Sequence, residues 1–175
     1  LPTTQHLRLT GRLVTDGLDL ADGAVIIEDG RVVHAGPARS IPTPWQELPT
    51  PPRWRPGLTL LPGLVDIHCH GGAGGEFGAG VEGARAAAAH HLAHGTTSLV
   101  ASIASRPAAD LARAVDECAV LAAEGTVAGI HLEGPFLSLV RCGAQNPEAR
   151  TDVDPDLVAD LLDRARGPGP RVLQR

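Results

Sequence analysis

At 175 residues and a formal net charge of −5, the chain has room for one domain of ordinary size or slightly more, and its 43% apolar residues suffice for a buried core. Its 21 Gly and 15 Pro stay just under the low-complexity range, and no apolar run approaches the roughly 20 residues of a membrane helix. The acidic balance argues against general nucleic-acid binding. Every basic residue is Arg, which excludes a Schiff-base Lys, a P-loop Lys and a carbamylated Lys bridging metals within this stretch.

Leu1 to Arg12 lack the charged start and apolar stretch of a signal peptide. The sequence contains no Met, so Leu1 is not expected to mark the start of translation. His6 to Val14 roughly alternates in polarity and predicts a strand. Ala24–Ile27 and Arg31–His34, joined through Glu28-Asp29-Gly30, predict a hairpin, because Asp-Gly supplies the positive φ angles of a tight turn. Pro37, Pro42, Pro44, Pro49, Pro51, Pro52 and Pro56, with Pro62 just beyond, mark residues 37–57 as an irregular connector or a disordered linker.

From Leu58 the rhythm changes. Leu58 to Ile67 is a strand-like apolar run interrupted by Pro62-Gly63. Val81 to His94 is Ala-rich and helical, closed by Gly95. Ser98–Ala104 predicts a buried strand. Pro107–Glu124 predicts a helix lined on one face by Leu111, Val115, Cys118 and Leu121 or Ala122. Val127–Leu132 predicts a third strand and Asp154–Arg166 a third helix. Such alternation implies parallel βαβ units, whose sites lie at the carboxyl ends of the strands.

The first such end reads Asp66-Ile67-His68-Cys69-His70-Gly71-Gly72. Residues two apart on a strand share a face, so His68 and His70 project together, about 7 Å apart at Cα. They are placed to share one metal ion, or they are two hydrogen-bonded histidines beside a turn. Cys69 faces the other way and is expected to be packed rather than a ligand. The third strand ends His131-Leu132-Glu133-Gly134-Pro135-Phe136. Glu133 there completes a mixed N/O site suited to zinc or a similar divalent ion, or it caps a helix or joins a salt bridge. His131, on the same face and one layer deeper, supports the ligands or is a hydrogen-bonded core residue. Gly71–Gly80 is expected to be a flexible active-site loop rather than a phosphate cradle, and it has no Walker pattern. His90 and His94, at i and i+4 on a helix, could bind metal but lie at its far end and are read, with His91, as surface residues. Cys142 either sits near substrate or is incidental, and the latter reading is preferred. Arg141 is either a phosphate contact or a solvated loop residue. Three cysteines without a C-x-x-C pair suggest a reducing cytoplasm.

The segments LPGLVDIHCHGG and GIHLEGPFLSLVRCGAQNPE resemble the amidohydrolase superfamily and, more narrowly, its N-acetylglucosamine-6-phosphate deacetylases. The H-x-H pair is superfamily-wide; HLEGPF with the GAQNPE loop is more specific. The resemblance runs from about residue 6 to about residue 165 and covers the N-terminal portion of that family's fold. It implies the first three strand–helix units of a metal-dependent (β/α)8 TIM-like barrel in 58–175. Residues 1–57 would hold the N-terminal part of a small β-sandwich domain and a Pro-rich connector. Glu133 matches the family's metal-ligand Glu, and His68 and His70 match a first-strand pair that some members keep. One or two divalent ions per subunit are implied. Ala144 and Gln145 fall in the loop that touches substrate, although many members have His where Gln145 stands.

The implied activity is hydrolysis of N-acetyl-D-glucosamine 6-phosphate to D-glucosamine 6-phosphate and acetate, in amino-sugar catabolism. The implied enzyme is cytoplasmic and a homodimer in full-length form, with a phosphorylated amino sugar as its partner and neither nucleic acid nor membrane. The competing readings are another amidohydrolase, acting on a cyclic amide or an N-acyl amino acid, and a catalytically inactive truncated fragment. HLEGPF weighs against the former. The family's catalytic Asp and two further His ligands are expected beyond Arg175, since no histidine follows Glu133. Asp152, Asp154, Asp156, Asp160 and Asp163 read as cap and solvated-face residues. A (β/α)8 barrel needs about 250 residues. Three of eight strands leave an edge and apolar surface open, and Gly167-Pro168-Gly169-Pro170-Arg171 reads poorly as a natural end. The expectation is a portion of an enzyme too short to catalyse alone.

Overall fold

Alternating side chains and one tight turn build the first unit. The computed structural model describes residues 6–51, 54–55 and 57–167, divided into Leu1–Pro62 and Gly63–Arg175. Strand β1 (His6–Val14) pairs antiparallel with β2 (Asp19–Glu28), and β2 with β3 (Arg31–Pro37). The β2–β3 turn has Asp29 at φ 47° and Gly30 at φ 77°, the positive-φ pair that the Asp-Gly signal anticipates. Ala24, Ile26 and Ile41 form a small core with Trp45 and Leu48 against it. Much of the Pro-rich segment is thus packed rather than free. It contains 3₁₀ turns at Ala38–Ser40 and Thr43–Trp45, and Trp54 Nε1 donates to the Thr10 carbonyl at 2.7 Å. Pro52, Pro56 and the tail from Pro168 onward lie outside the described residues.

The Leu58–Ile67 run is two strands rather than one. β4 (Thr59–Leu60) pairs parallel with β1 in the first unit, whereas β5 (Leu64–Cys69) belongs to the second. Pro62, which has no N–H to give a ladder, stands between them.

In the second unit β5 leads into a two-stranded hairpin, β6 (Gly71–Gly72) and β7 (Gly75–Glu76). Then come α1 (Val81–Ala93), β8 (Thr96–Ala104), α2 (Ala108–Ala123), β9 (Gly129–Glu133) and α3 (Pro155–Ala165). The parallel sheet has the order β5-β8-β9. Leu99, Ala101 and Ile103 of β8 bury one sheet face against the helices. Helix α2 meets them with Leu111, Ala114, Val115, Cys118 and Leu121, the spacing of one helical face. Helix α1 buries only Ala84, Ala87 and Ala88, so its backbone lies close to its neighbours. Asp154 caps α3 by accepting from the Asp156 and Leu157 amides. Among the described residues no helix is long and apolar enough to cross a membrane.

Cys118 is fully buried, and that burial, with Glu117 adjacent, pushes its thiol up to about 11. The fold therefore favours the neutral thiol. Its contribution to stability is complete below the ordinary thiol range and is lost as pH rises through that range toward about 11. With neither Lys nor Tyr in the chain, thiols are the only side chains titrating in this window. The α-helices described lie in the second unit, so helical circular dichroism reports on it. Denaturation followed by that signal should show stability falling by ~2 kcal/mol across this window, and Cys118→Ala should flatten most of the fall. Parallel pH profiles for the two proteins would count against this reading.

Candidate metal centre

Register decides which side chains meet. On β5, Asp66 pairs with Leu99 and Cys69 with Ala101, so β5 carries one residue more than β8 between these positions. Such a bulge reverses the parity of alternation. Asp66 and Cys69 come to the helix side of the sheet, while His68 and His70 project from the opposite face. The His68 amide donates to Asp66 Oδ1 at 3.1 Å, which holds the bulged backbone.

β9 aligns with β8 so that Glu133 lies opposite Ala104 and His131 opposite Ser102. This carries Glu133 to the two imidazoles. His70 Nε2 is 2.9 Å from Glu133 Oε2, His68 Nε2 is 3.7 Å from it, and the two Nε2 atoms are 3.1 Å apart. The point equidistant from these three atoms is about 1.9 Å from each. Zinc takes N and O ligands at about 2.0–2.2 Å, so these three atoms are spaced to hold one such ion. Two imidazoles and a carboxylate suit zinc or a similar divalent ion, and all three residues retain access to solvent.

His131 resolves toward both of its readings at once. Its Nδ1 is 3.0 Å from the hydroxyl of Ser102, which is fully buried, and its ring lies 5.0 Å from that of His68. It is a half-buried, hydrogen-bonded residue that also backs His68. The sequence reading missed Ser102; a polar residue inside the apolar run SLVASIA was the available signal. It also missed Ser105, which donates its hydroxyl to the Glu133 carbonyl at 3.1 Å. The Ser105 amide donates to Gln145 Oε1 at 2.8 Å. Gln145 thereby ties its loop to the end of β8, while Ala144 is exposed.

The glycine-rich stretch is not an open loop. It forms the β6–β7 hairpin, followed by Phe77, which is fully buried. Arg106 pins it by donating to the Gly78 carbonyl at 2.6 Å and pairing with Glu76. A Cβ on Gly75 would lie 2.0 Å from the Gly83 carbonyl of α1, so close packing against that helix explains this glycine. His90 and His94 are exposed, as expected, but His91 is half-buried. Its Nε2 lies 3.3 Å from Cys69 Sγ and 3.0 Å from the Gly71 carbonyl, because β6 folds back beside α1. Cys69 is buried, and that burial pushes its thiol up. Cys142 is half-buried with Sγ 3.3 Å from the Leu139 carbonyl, and Arg141 is exposed.

Residues 59–167 match the amidohydrolase family. The N-acetylglucosamine-6-phosphate deacetylase of Bacillus subtilis is 30% identical over 165 residues, covering 89% of this chain and 40% of that protein. The crystal structure of N-acetyl-D-glucosamine-6-phosphate deacetylase from Mycobacterium smegmatis superposes with a TM-score of 0.81 at 39% identity, covering 92% of this chain and 41% of that one. A point mutant of that enzyme, in complex with N-acetyl-D-glucosamine-6-phosphate, gives a TM-score of 0.77 at 38% identity over 93% and 41% of the two chains. The chain thus spans about two fifths of the length of these relatives.

The Gln145 bond has a measurable consequence. Gln145→Ala leaves the Ser105 amide, on a buried residue, without its acceptor. Such an orphan costs about 1–3 kcal/mol. Exchange of the Ser105 amide hydrogen should accelerate by about 10- to 100-fold, with the helix α2 amides unchanged. An unaltered Ser105 rate would remove Gln145 as the anchor of its loop.

Proposed function

The chain belongs to the amidohydrolase family, and from that membership we propose that it carries the metal-binding end of a hydrolase that deacetylates N-acetyl-D-glucosamine 6-phosphate. The products are D-glucosamine 6-phosphate and acetate. The observation that carries this reading is the convergence of His68, His70 and Glu133 at the carboxyl ends of two parallel strands. The substrate is the one named for the relatives, and it is supported by the identity to them across most of this chain. We read the β5-β8-β9 sheet with α1, α2 and α3 as the first three strand–helix units of a (β/α)8 barrel, whose sites lie at this end of the strands. The outward exposure of Val65 and Ile67 on β5 suits a strand that meets further apolar structure. The thiols of Cys69, Cys118 and Cys142 are free, which supports a reducing, cytoplasmic setting.

In this reading His68, His70 and Glu133 hold the divalent ion. When bound, the ion supplies Lewis acidity and lowers the pKa of coordinated water to roughly 7. Glu133 contributes the negative charge that offsets the cation. Ser105 fixes the backbone at Glu133 through its carbonyl. His68 is held from two sides, by its amide bond to Asp66 and by the His131 ring, which Ser102 orients in turn. Binding such groups in advance limits the reorganisation that the reaction requires. Ala144 and Gln145 stand in the substrate loop. Gln145 commits its carbonyl oxygen to Ser105 and leaves its N–H donors for the sugar phosphate.

In a full-length version, the protein should release acetate from N-acetyl-D-glucosamine 6-phosphate far faster than from the unphosphorylated sugar, and chelation of divalent metal should abolish the release. Glu133→Gln should weaken metal affinity by at least about 100-fold, beyond the loss from removing a supporting partner, and activity should fall with it. Retention of metal and activity in Glu133→Gln would overturn the assignment. Faster turnover of a cyclic amide or an N-acyl amino acid would redirect the substrate.

A further inference from the structure

We propose that Asp66, Cys69 and His91 form a second metal site, for a borderline-soft divalent ion such as zinc, on the helix side of β5. Among the described residues, two groups of three side chains offer ligand atoms within 4.8 Å of one another. One is His68, His70 and Glu133; this is the other. The two stand back to back across β5, and the bulge that turns Asp66 and Cys69 away from the imidazole pair makes both possible.

The geometry suits coordination. Cys69 Sγ and His91 Nε2 are 3.3 Å apart. A tetrahedral zinc with S at about 2.3 Å and N at about 2.0 Å would hold them about 3.5 Å apart. The imidazole approaches this closely because Gly72 has no side chain: a Cβ there would lie 2.8 Å from His91 Nε2. Asp66 gives one oxygen to the His68 amide and has lone pairs left on both. Three protein donors leave one position of a tetrahedron for water.

Charge favours the same occupant. Binding breaks the Cys69 S–H bond, forms the metal–sulfur bond and releases the proton to solvent, while His91 gives up its Nε2 contact with the Gly71 carbonyl and carries its proton on Nδ1, so that Nε2 is free to ligate. Thiolate, carboxylate and a divalent cation then sum to zero beside a neutral imidazole, which is the charge state that a site partly removed from water favours. The thiolate also selects against magnesium and calcium, which take oxygen ligands. Cys69 and His91 lie outside the His68–His70–Glu133 cluster, whereas Asp66 also accepts from the His68 amide and so touches both.

Cobalt(II) added to the metal-free full chain tests the proposal, with zinc(II) counted per chain by native mass spectrometry. The wild type should show thiolate-to-cobalt charge-transfer absorption and two zinc ions. Cys69→Ser should lose the absorption and one zinc while keeping its helical circular dichroism. Glu133→Gln should keep the absorption. Should Cys69→Ser fail to fold, His91→Gln is expected to lose one zinc and to weaken cobalt binding at least 10-fold. Absence of the charge-transfer band in the wild type, or equal zinc counts in wild type and Cys69→Ser, would reduce the group to a hydrogen-bonded Cys–His pair and overturn the proposal.

Discussion

Parallel strands that end at the same height bring a carboxylate to two imidazoles sixty-odd residues away in sequence. The pairing of Ala104 with Glu133, and of β5 with β8 up to Cys69 and Ala101, fixes that height. A shift of one residue on any strand would send its side chains to the opposite face. Register here depends on burial. Leu99, Ala101 and Ile103 occupy the helix-facing side of β8, and a slip would exchange them for Ser98, Val100 and Ser102. The apolar core behind the sheet therefore holds the ligand geometry in front of it.

Polar groups on the front are satisfied in a chain running from the interior to the mouth. Ser102 is buried and meets His131; His131 backs His68; Ser105 binds the Glu133 carbonyl and, through its amide, Gln145. A buried hydroxyl without a partner would cost about 1–3 kcal/mol, so the Ser102–His131 pair is energetically coupled. The same contacts orient the ligand side chains. Stability and site geometry use one set of bonds, and the loop bearing Ala144 and Gln145 joins that set at a single point.

Local pattern carried most of the architecture. Alternation marked β1, Asp29-Gly30 marked the β2–β3 turn, and the spacing of Leu111, Val115, Cys118 and Leu121 marked α2 and its buried face. His68, His70 and Glu133 were legible because a short periodicity and a strand end suffice to aim them. What escaped depends on contacts between distant segments. His91 reads as a surface residue on its own helix, and only the fold-back of the Gly71–Gly72 strand beside α1 half-buries it. The glycines at 71–80 read as freedom, yet Gly75 is small because Gly83 of α1 lies against it. Ser102 looked like an interruption of an apolar strand until its partner on β9 was in place.

The bulge in β5 shows why that strand, rather than β8 or β9, is the chemically dense one. A regular strand divides its residues evenly between two faces, so a run such as Asp66 to His70 would present Asp66, His68 and His70 together and leave Cys69 opposite. Three titratable groups on one face would add a second carboxylate to a cluster that already has Glu133. The extra residue moves Asp66 out of that set and onto the side of Cys69. Its carboxylate still reaches the His68 amide, so it steadies the imidazole strand without competing for the same space. A one-residue irregularity thus separates two hard oxygen donors onto two faces and leaves each beside nitrogen: His68 and His70 on one side, His91 with the Cys69 sulfur on the other. Deleting the bulge would disturb both clusters at once, as would changing Asp66, whose carboxylate holds the His68 amide, whereas changing any other donor would disturb one.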